Sequence, residues 1–313
     1  MSEILILFLH FGVVIACLLA IAGVLALWCP WLELCNDIRP FVLFATAIFV
    51  VAALALRNES FLVSSVSVFV VTLLLFLAPF MTGIEGGKNA PPLLRVITYN
   101  IEAANTRYRE IGQFIAATNA DIVVLQEIDA AAVAELLHEL AKIYLHVFHA
   151  ASERSTGLAL FAKQSCVDGG HIKWCDSNPA MAWARIEKGA FSCEVIGVYL
   201  ADPFHPHMQV RHIDWLTDCV RSRRHPLIVA GDFNLTPFSA KLNKFAMTTG
   251  LRRHATMLTS WPVDKFWPTF LIDHVFASSE VCSVKVAVGP SLGSDHRPVI
   301  ADIGLNKSAV KTK

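Results

Sequence analysis

Three apolar runs fill the first 80 residues. From Ile4 to Leu32 there is no Asp, Glu, Lys or Arg, and His10 is the one strongly polar titratable side chain. "PFVLFATAIFVVAALALRNES" (40–60) and "FLVSSVSVFVVTLLLFLAPF" (61–80) follow. A helix needs about 20 apolar residues to cross a hydrocarbon core, so these runs predict a bundle of three transmembrane helices over 4–28, 40–56 and 61–80. A cleaved signal peptide fits the first run poorly, because no basic segment precedes it and two further apolar runs follow. The pattern breaks at "MTGIEGGKNAPP" (81–92), a Gly- and Pro-rich linker. Its Gly-Gly-Lys is followed by Asn89, not Ser or Thr, and no strand precedes it, so it is not a phosphate-binding loop.

From Leu93 onward short apolar runs alternate with polar turns. Strands are predicted at 93–101, 121–128, 144–150, 157–163, 192–200, 227–233, 272–278, 283–288 and 298–303. Helical spacing marks 107–118, where Ile111, Phe114 and Ile115 share a face, and again 131–142, 208–221 and 239–248. Strands interleaved with a few helices predict an α/β fold with a two-sheet core flanked by helices. This is one domain over 93–304, followed by a basic tail at 305–313.

Hydrophobic residues make up 55% of the 313, and mean hydropathy is +0.52. The excess belongs to the first 80 residues, so the remainder has the composition of an ordinary soluble domain. The chain is formally neutral, with 26 basic and 26 acidic residues. Two of the basic and four of the acidic ones precede position 81, leaving 24 and 22 beyond it. That net of +2 is not the footprint of avid duplex binding through phosphates. The basic clusters at 221–225 and 252–254 suit a solvated helix end as well as a substrate-facing patch. The eight cysteines form no C-x-x-C pair, so neither zinc nor a disulfide framework is indicated.

Polar residues collect where strands end or begin. Asn100 closes the first strand, Glu127 the second and Tyr199 another. "GDFN" supplies Asp232 and Asn234, two residues apart and so on one side of an extended chain. "LIDH" gives Asp273, and "GSDHRP" gives Asp295 and His296 just before a strand. One such ending is a turn; this many form a site. The matching chemistry is metal-assisted phosphoester hydrolysis. Glu127 and Asp295, assisted by Asn100, suit a hard divalent cation, Mg²⁺ with Mn²⁺ as a substitute. Asp232 orients or deprotonates the attacking water, and Asn234 steadies the phosphoryl oxygens. His296 donates to the phosphate while Asp273 fixes its tautomer.

"VITYNIEAAN", "DIVVLQEID", "AGDFNLTPFS", "FLIDHVFAS" and "LGSDHRPVIADI", in this order, resemble the endonuclease/exonuclease/phosphatase superfamily across 93–304. With the apolar runs ahead of them, they resemble its bacterial membrane-anchored members. The resemblance implies a four-layer α/β/β/α sandwich of the DNase I-like type. It implies metal or metal-proximal roles for Asn100, Glu127 and Asp295, action on nucleophile and phosphate by Asp232 and Asn234, and an Asp273–His296 pair on the scissile phosphate. Many members carry a His where Tyr199 aligns; a phenol is the weaker acid, which bears on leaving-group protonation. The implied activity is a Mg²⁺-dependent phosphoesterase in a bacterial inner membrane. Its expected partners are the bilayer, through residues 4–80, and a phosphoester in nucleic acid or a phospholipid headgroup. A membrane scaffold that keeps the fold for binding alone is the alternative. The positive-inside comparison leaves the side of the domain open, and no protein partner is indicated. Among the other polar and aromatic residues, His205, His207 and His212 read as a surface loop, Asp202 as a turn former, and Trp261, Trp267 and Phe270 as packing.

Overall fold

A computed structural model of the chain describes residues 2–81, 90–150, 157–173, 179–223, 226–254, 258–263 and 269–306. Much of the expected linker and tail, with Trp267 and Cys175, lies outside the described residues.

The chain begins with α1 (Ser2–Leu25). A 3-10 turn (Pro30–Glu33) and the single-turn α2 (Leu34–Asp37) lead into α3 (Arg39–Leu56) and α4 (Glu59–Met81). The first, third and fourth helices are long and apolar enough to cross a membrane. The shortest, 18 residues, rises about 27 Å at 1.5 Å per residue. Large side chains such as Phe8, Phe44 and Leu74 point outward from them, as lipid-facing positions do. Between α3 and α4 the hydroxyls of Thr46 and Thr72 meet at 3.1 Å, a polar contact of the kind that joins helices in an apolar medium.

The remaining elements in order are β1 (Leu94–Asn100), α5 (Tyr108–Thr118), β2 (Ile122–Ile128), α6 (Ala130–Leu140), β3 (His146–Ala150) and β4 (Gly157–Ala162). Next come β5 (Ser165–Lys173), β6 (Pro179–Lys188), β7 (Phe191–Tyr199), α7 (Pro206–Arg221), β8 (Leu227–Asp232) and α8 (Ala240–Thr249). The last are β9 (Arg252–Arg253), β10 (Asp273–Ala277), β11 (Val281–Val288) and β12 (Val299–Leu305). They form two six-stranded mixed sheets, ordered β11-β12-β1-β2-β4-β3 and β5-β6-β7-β8-β10-β9. Side chains alternate across each sheet. Val96, Val124, Leu158 and Leu160 of the first sheet meet Ala184, Val195, Ile228 and Val275 of the second. Ile97, Tyr99, Val123 and Leu125 face α5 and α6 on one outer side. Ile196, Val229 and Phe276 face α7 and α8 on the other. The result is the expected four-layer α/β/β/α sandwich. Burial on both faces explains why the central strands read as unbroken apolar runs.

Two buried histidines make this sandwich acid-sensitive. Burial, with the nearby Arg252 charge, pushes His254 down to about 4; burial and Arg253 push His274 down to about 3. Both stay neutral in the folded state while the unfolded chain binds protons near pH 6.5. Their stabilising contribution is therefore complete above pH 6.5 and is lost as pH falls toward 4 and 3, at about 1.4 kcal/mol per unit for each. Unfolding midpoints of the full chain in detergent are expected to drop across that window, and less steeply in His254→Leu. An equal slope in the variant would contradict this assignment.

Candidate active site

The two parallel strand pairs set the location. β1 runs parallel to β2, and β7 to β8, so their C-terminal ends open on one rim between the sheets. Asn100 ends β1 with the parity of Val96, which faces the second sheet. Tyr199, Asp232 and Asp273 lie abreast on adjacent strands, Tyr199 opposite Asp232 and Asp232 opposite Asp273. They share the parity of the inward-facing Val195, Ala230 and Val275. Gly231 leaves room for this row, because a Cβ there would collide with the Val198 carbonyl.

Glu127 reaches the same rim by a different device. The register against β4 shifts between Gln126 and Ile128, and Glu127 takes a φ of 58°. A bulge of this kind re-aims a side chain, and a positive φ off glycine is held only where surroundings enforce it. Here the surroundings are hydrogen bonds to the Glu127 carboxylate. Its Oε1 accepts from Asn100 Nδ2 at 2.8 Å and from the Tyr199 hydroxyl at 2.9 Å, and its Oε2 from the Ala103 amide at 3.1 Å.

A second network surrounds His296. Its Nδ1 lies 2.9 Å from Asp273 Oδ2, and its Nε2 lies 3.9 Å from both Asp232 Oδ2 and Asp295 Oδ1. Burial alone would favour a neutral ring, but Asp273, then Asp232 and Asp295, outweigh it and hold the imidazole protonated well above its ordinary range. Asp232 is raised as well, by burial and by Asp273 against His296 and Asn100, so its carboxyl takes up protons more readily than usual. A raised carboxyl makes Asp232 a stronger base than an ordinary aspartate, and the adjacent imidazolium, bonded to Asp273, favours its charged form. Asn100 Nδ2 donates to Asp232 Oδ2 at 3.0 Å, and the Asn234 amide to Oδ1 at 2.8 Å. The structure thus brings together Asn100, Glu127, Tyr199, Asp232, Asp273, Asp295 and His296. Asn234 sits at the edge, its side-chain Nδ2 given to the Leu200 carbonyl at 3.0 Å.

Asp232, Asp273 and His296 have potential ligand atoms within 4.8 Å of one another. A protonated ring bonded to Asp273 has no lone pair to offer, so these three make an acid–imidazolium network rather than a cation cage. Glu127 and Asp295 are each half-buried, whereas Asp232 and Asp273 are fully buried. Asp273 Oδ1 is buried with no hydrogen-bond partner among the described residues. An oxygen-rich set of this kind suits a hard divalent cation.

Some contributors are not obvious from sequence. Trp261, which reads as packing, donates Nε1 to Asp295 Oδ2 at 2.8 Å. Glu102 accepts the Asp295 amide at 3.0 Å, and buried Gln209 donates to the carbonyls of Ala201 and Asn234, both at 3.0 Å. A glutamine at the helical spacing of Ile213, Leu216 and Val220, on the otherwise apolar face of α7, is the available signal for the last. Of the residues read as bystanders, Asp202 makes a turn with Phe204 and His205, while His207 and His212, read as loop, lie within α7, where His212 accepts the Ala201 amide. Arg223 of the basic cluster pairs with Glu194 and lies over the Trp183 ring, an internal tie and not a substrate-facing charge.

The N-terminal segment also reaches this rim. Thr236, two residues past Asn234, donates to Asp37 at 2.9 Å, and the Ala240 amide at the start of α8 donates to Glu33 at 2.9 Å. Lys241 Nζ lies 3.2 Å from Glu33, and both side chains are buried.

Residues 97–296 match the Endonuclease/Exonuclease/phosphatase family, and the chain belongs to that family. Solved structures share the fold. Truncated TDP2 from Caenorhabditis elegans is 15% identical over 68% of this chain and 98% of its own, with a TM-score of 0.57. TDP2 from D. rerio, complexed with a single-strand DNA product, is 17% identical over 67% and 98%, with a TM-score of 0.58. A double mutant of the Staphylococcus aureus beta toxin with bound magnesium ions is 17% identical over 67% and 99%, with a TM-score of 0.53. No curated protein matches the sequence.

Proposed function

We propose that the chain is a membrane-anchored, Mg²⁺-dependent phosphoesterase of a bacterial inner membrane, hydrolysing a phosphodiester or phosphomonoester. The observation that carries this reading is the convergence of Glu127, Asp232, Asp295 and an Asp273-bound His296 on one rim between the sheets. Family membership supports hydrolysis of phosphoesters, and the magnesium ions of the beta toxin support the choice of metal. Three apolar helices of membrane-spanning length support the anchor.

In this reading Glu127 and Asp295, with Asn100 beside them, hold Mg²⁺, which polarises the phosphoryl oxygen and offsets developing negative charge. Asp232, its carboxylate held by the Asn234 amide and Asn100, orients a water and takes its proton. His296, protonated and fixed through Nδ1, presents Nε2 to a phosphoryl oxygen. Asn234 flanks the phosphate. Burial and the carboxylates of Glu127 and Asp232 raise the Tyr199 phenol far above its usual range. Tyr199 therefore keeps its proton and acts by holding Glu127 rather than by protonating the leaving group.

Tyr199→Phe is expected to weaken the Mg²⁺ response and activity about 10- to 100-fold, the usual effect of losing a partner of a metal-binding carboxylate. A drop in kcat at unchanged Mg²⁺ dependence would point instead to a proton-transfer role. The reading as a whole is tested with the full chain in detergent and bis-p-nitrophenyl phosphate. Turnover should require Mg²⁺ and cease with EDTA; none on any phosphoester would favour a binding scaffold.

A further inference from the structure

A cavity of about 250 Å³ lies where the membrane helices meet the catalytic domain. Its walls on the membrane side are Pro40 and Phe41, in the first turn of α3, with Phe76 and Phe80, in the last turns of α4. Across from them are Phe238 and Phe270. Phe238 stacks on Phe76 at 5.1 Å between centroids and lies four residues past Asn234. Phe270 meets Phe41 edge-on at 6.4 Å and lies three residues before Asp273. The lining continues into the site itself: Phe270 stacks on Trp261 at 6.2 Å, and the Trp261 ring lies 6.3 Å from His296 while its Nε1 bonds Asp295. None of the described lining residues is charged.

We propose that the substrate is a membrane lipid carrying a phosphoester headgroup, with an acyl chain seated in this cavity and the phosphorus at His296 and Asp232. The proposal rests on the phosphoesterase reading and names its substrate class. Three observations select a lipid chain as the occupant. Both helix ends that wall the cavity belong to membrane-length spans, so a lipid held by those helices would have it within reach. The cavity is largely apolar and aromatic, which rewards burial of methylenes. Its wall residue Phe270 stacks on Trp261, whose ring lies 6.3 Å from His296, so the apolar pocket and the polar rim lie within reach of one molecule. Aromatic walls also stack nucleobases, but a nucleic acid strand needs cations along its phosphates, and the described lining residues supply none. Hydrolysis adds the oxygen of water to phosphorus and breaks the ester P–O bond. The proton passes to the leaving oxygen, so no co-reactant is consumed.

The test compares substrates on the full chain in mixed micelles. The lipid probe is an equal mixture of phosphatidylcholine, phosphatidylethanolamine, phosphatidylglycerol and sphingomyelin, offered in long-chain and dihexanoyl-length forms and followed by ³¹P NMR. Bis-p-nitrophenyl phosphate and a single-stranded oligonucleotide are run alongside. Two variants alter the cavity: Phe76→Ala removes a wall on the side away from Trp261, and Thr259→Trp fills it from an exposed position. The expected result is preferential cleavage of long-chain lipid, reduced about 10-fold or more in both variants, with bis-p-nitrophenyl phosphate turnover within about 2-fold of wild type. Equal rates on long and short chains, variants that spare the lipid reaction, or faster cleavage of the oligonucleotide would each overturn the proposal while leaving a phosphoesterase in place. Absence of turnover on every substrate would overturn the phosphoesterase reading and the lipid assignment with it.

Discussion

His296→Ala is expected to lower kcat/KM for a phosphodiester by about 10³-fold, and Asp232→Asn by a similar factor. Each removes a group assigned either to the developing phosphoryl charge or to the attacking water, effects of this size in other enzymes. The geometry adds a second expectation. Asp232 and Asp273 face each other in register on β8 and β10, both buried, and His296 is the cation between them. Without it two like charges share a dry space, and one carboxyl takes up a proton. Asp232 then loses its basicity along with the donor. The double variant should therefore be little worse than the poorer single one, as for groups acting as a unit. Steady-state kinetics on the three proteins, with matching circular dichroism spectra, measure this. Losses that multiply would show that the two side chains work independently.

The second large effect lies away from the chemistry. Lys241 and Glu33 form a buried ion pair at 3.2 Å between α8 and the turn that precedes α2. Removing one partner of such a pair costs about 3–5 kcal/mol, because the other charge is left buried and unpaired. Lys241→Met is thus expected to lower the Tm in detergent by about 6–20 °C, taking 2–4 °C per kcal/mol for a domain of this size. Adding Glu33→Gln should recover most of the loss. A single variant with unchanged Tm would mean that the anchor rests loosely on the domain. The same contact argues for assaying the whole chain. A fragment starting near residue 91 would bare Thr236, Phe238 and Lys241, which the anchor covers.

The central strands and most of the rim were legible because each side chain carries its own signal: apolar runs that end in Asn, Glu, Asp or His. Parity and parallel pairing then place Asn100, Tyr199 and Asp232 at one end without further information. The hairpin of β5 and β6 was not foreseen. "SCVDGGHIK" interrupts its pattern with Asp and two Gly, and "AMAWARIEK" is rich in good helix formers, so only pairing with β7 makes it a strand. β9, two residues long, owes its existence to β10. The docking of the anchor was equally hidden. Glu33 and Asp37 stand out as rare charges in an apolar region, yet nothing local names Lys241 and Thr236, about 200 positions away, as their partners. Trp261 read as packing because a tryptophan's hydrogen-bond partner is set by tertiary contact alone.

The central claim is that the carboxylate–imidazolium rim hydrolyses phosphoesters with a divalent cation. It is tested most directly by titrating Mg²⁺ into the full chain after EDTA treatment and following bis-p-nitrophenyl phosphate, with Asp232→Asn beside wild type. The account predicts turnover that saturates with Mg²⁺, vanishes with EDTA and falls about 10³-fold in the variant. Turnover that survives EDTA, or is equal in Asp232→Asn, would contradict it.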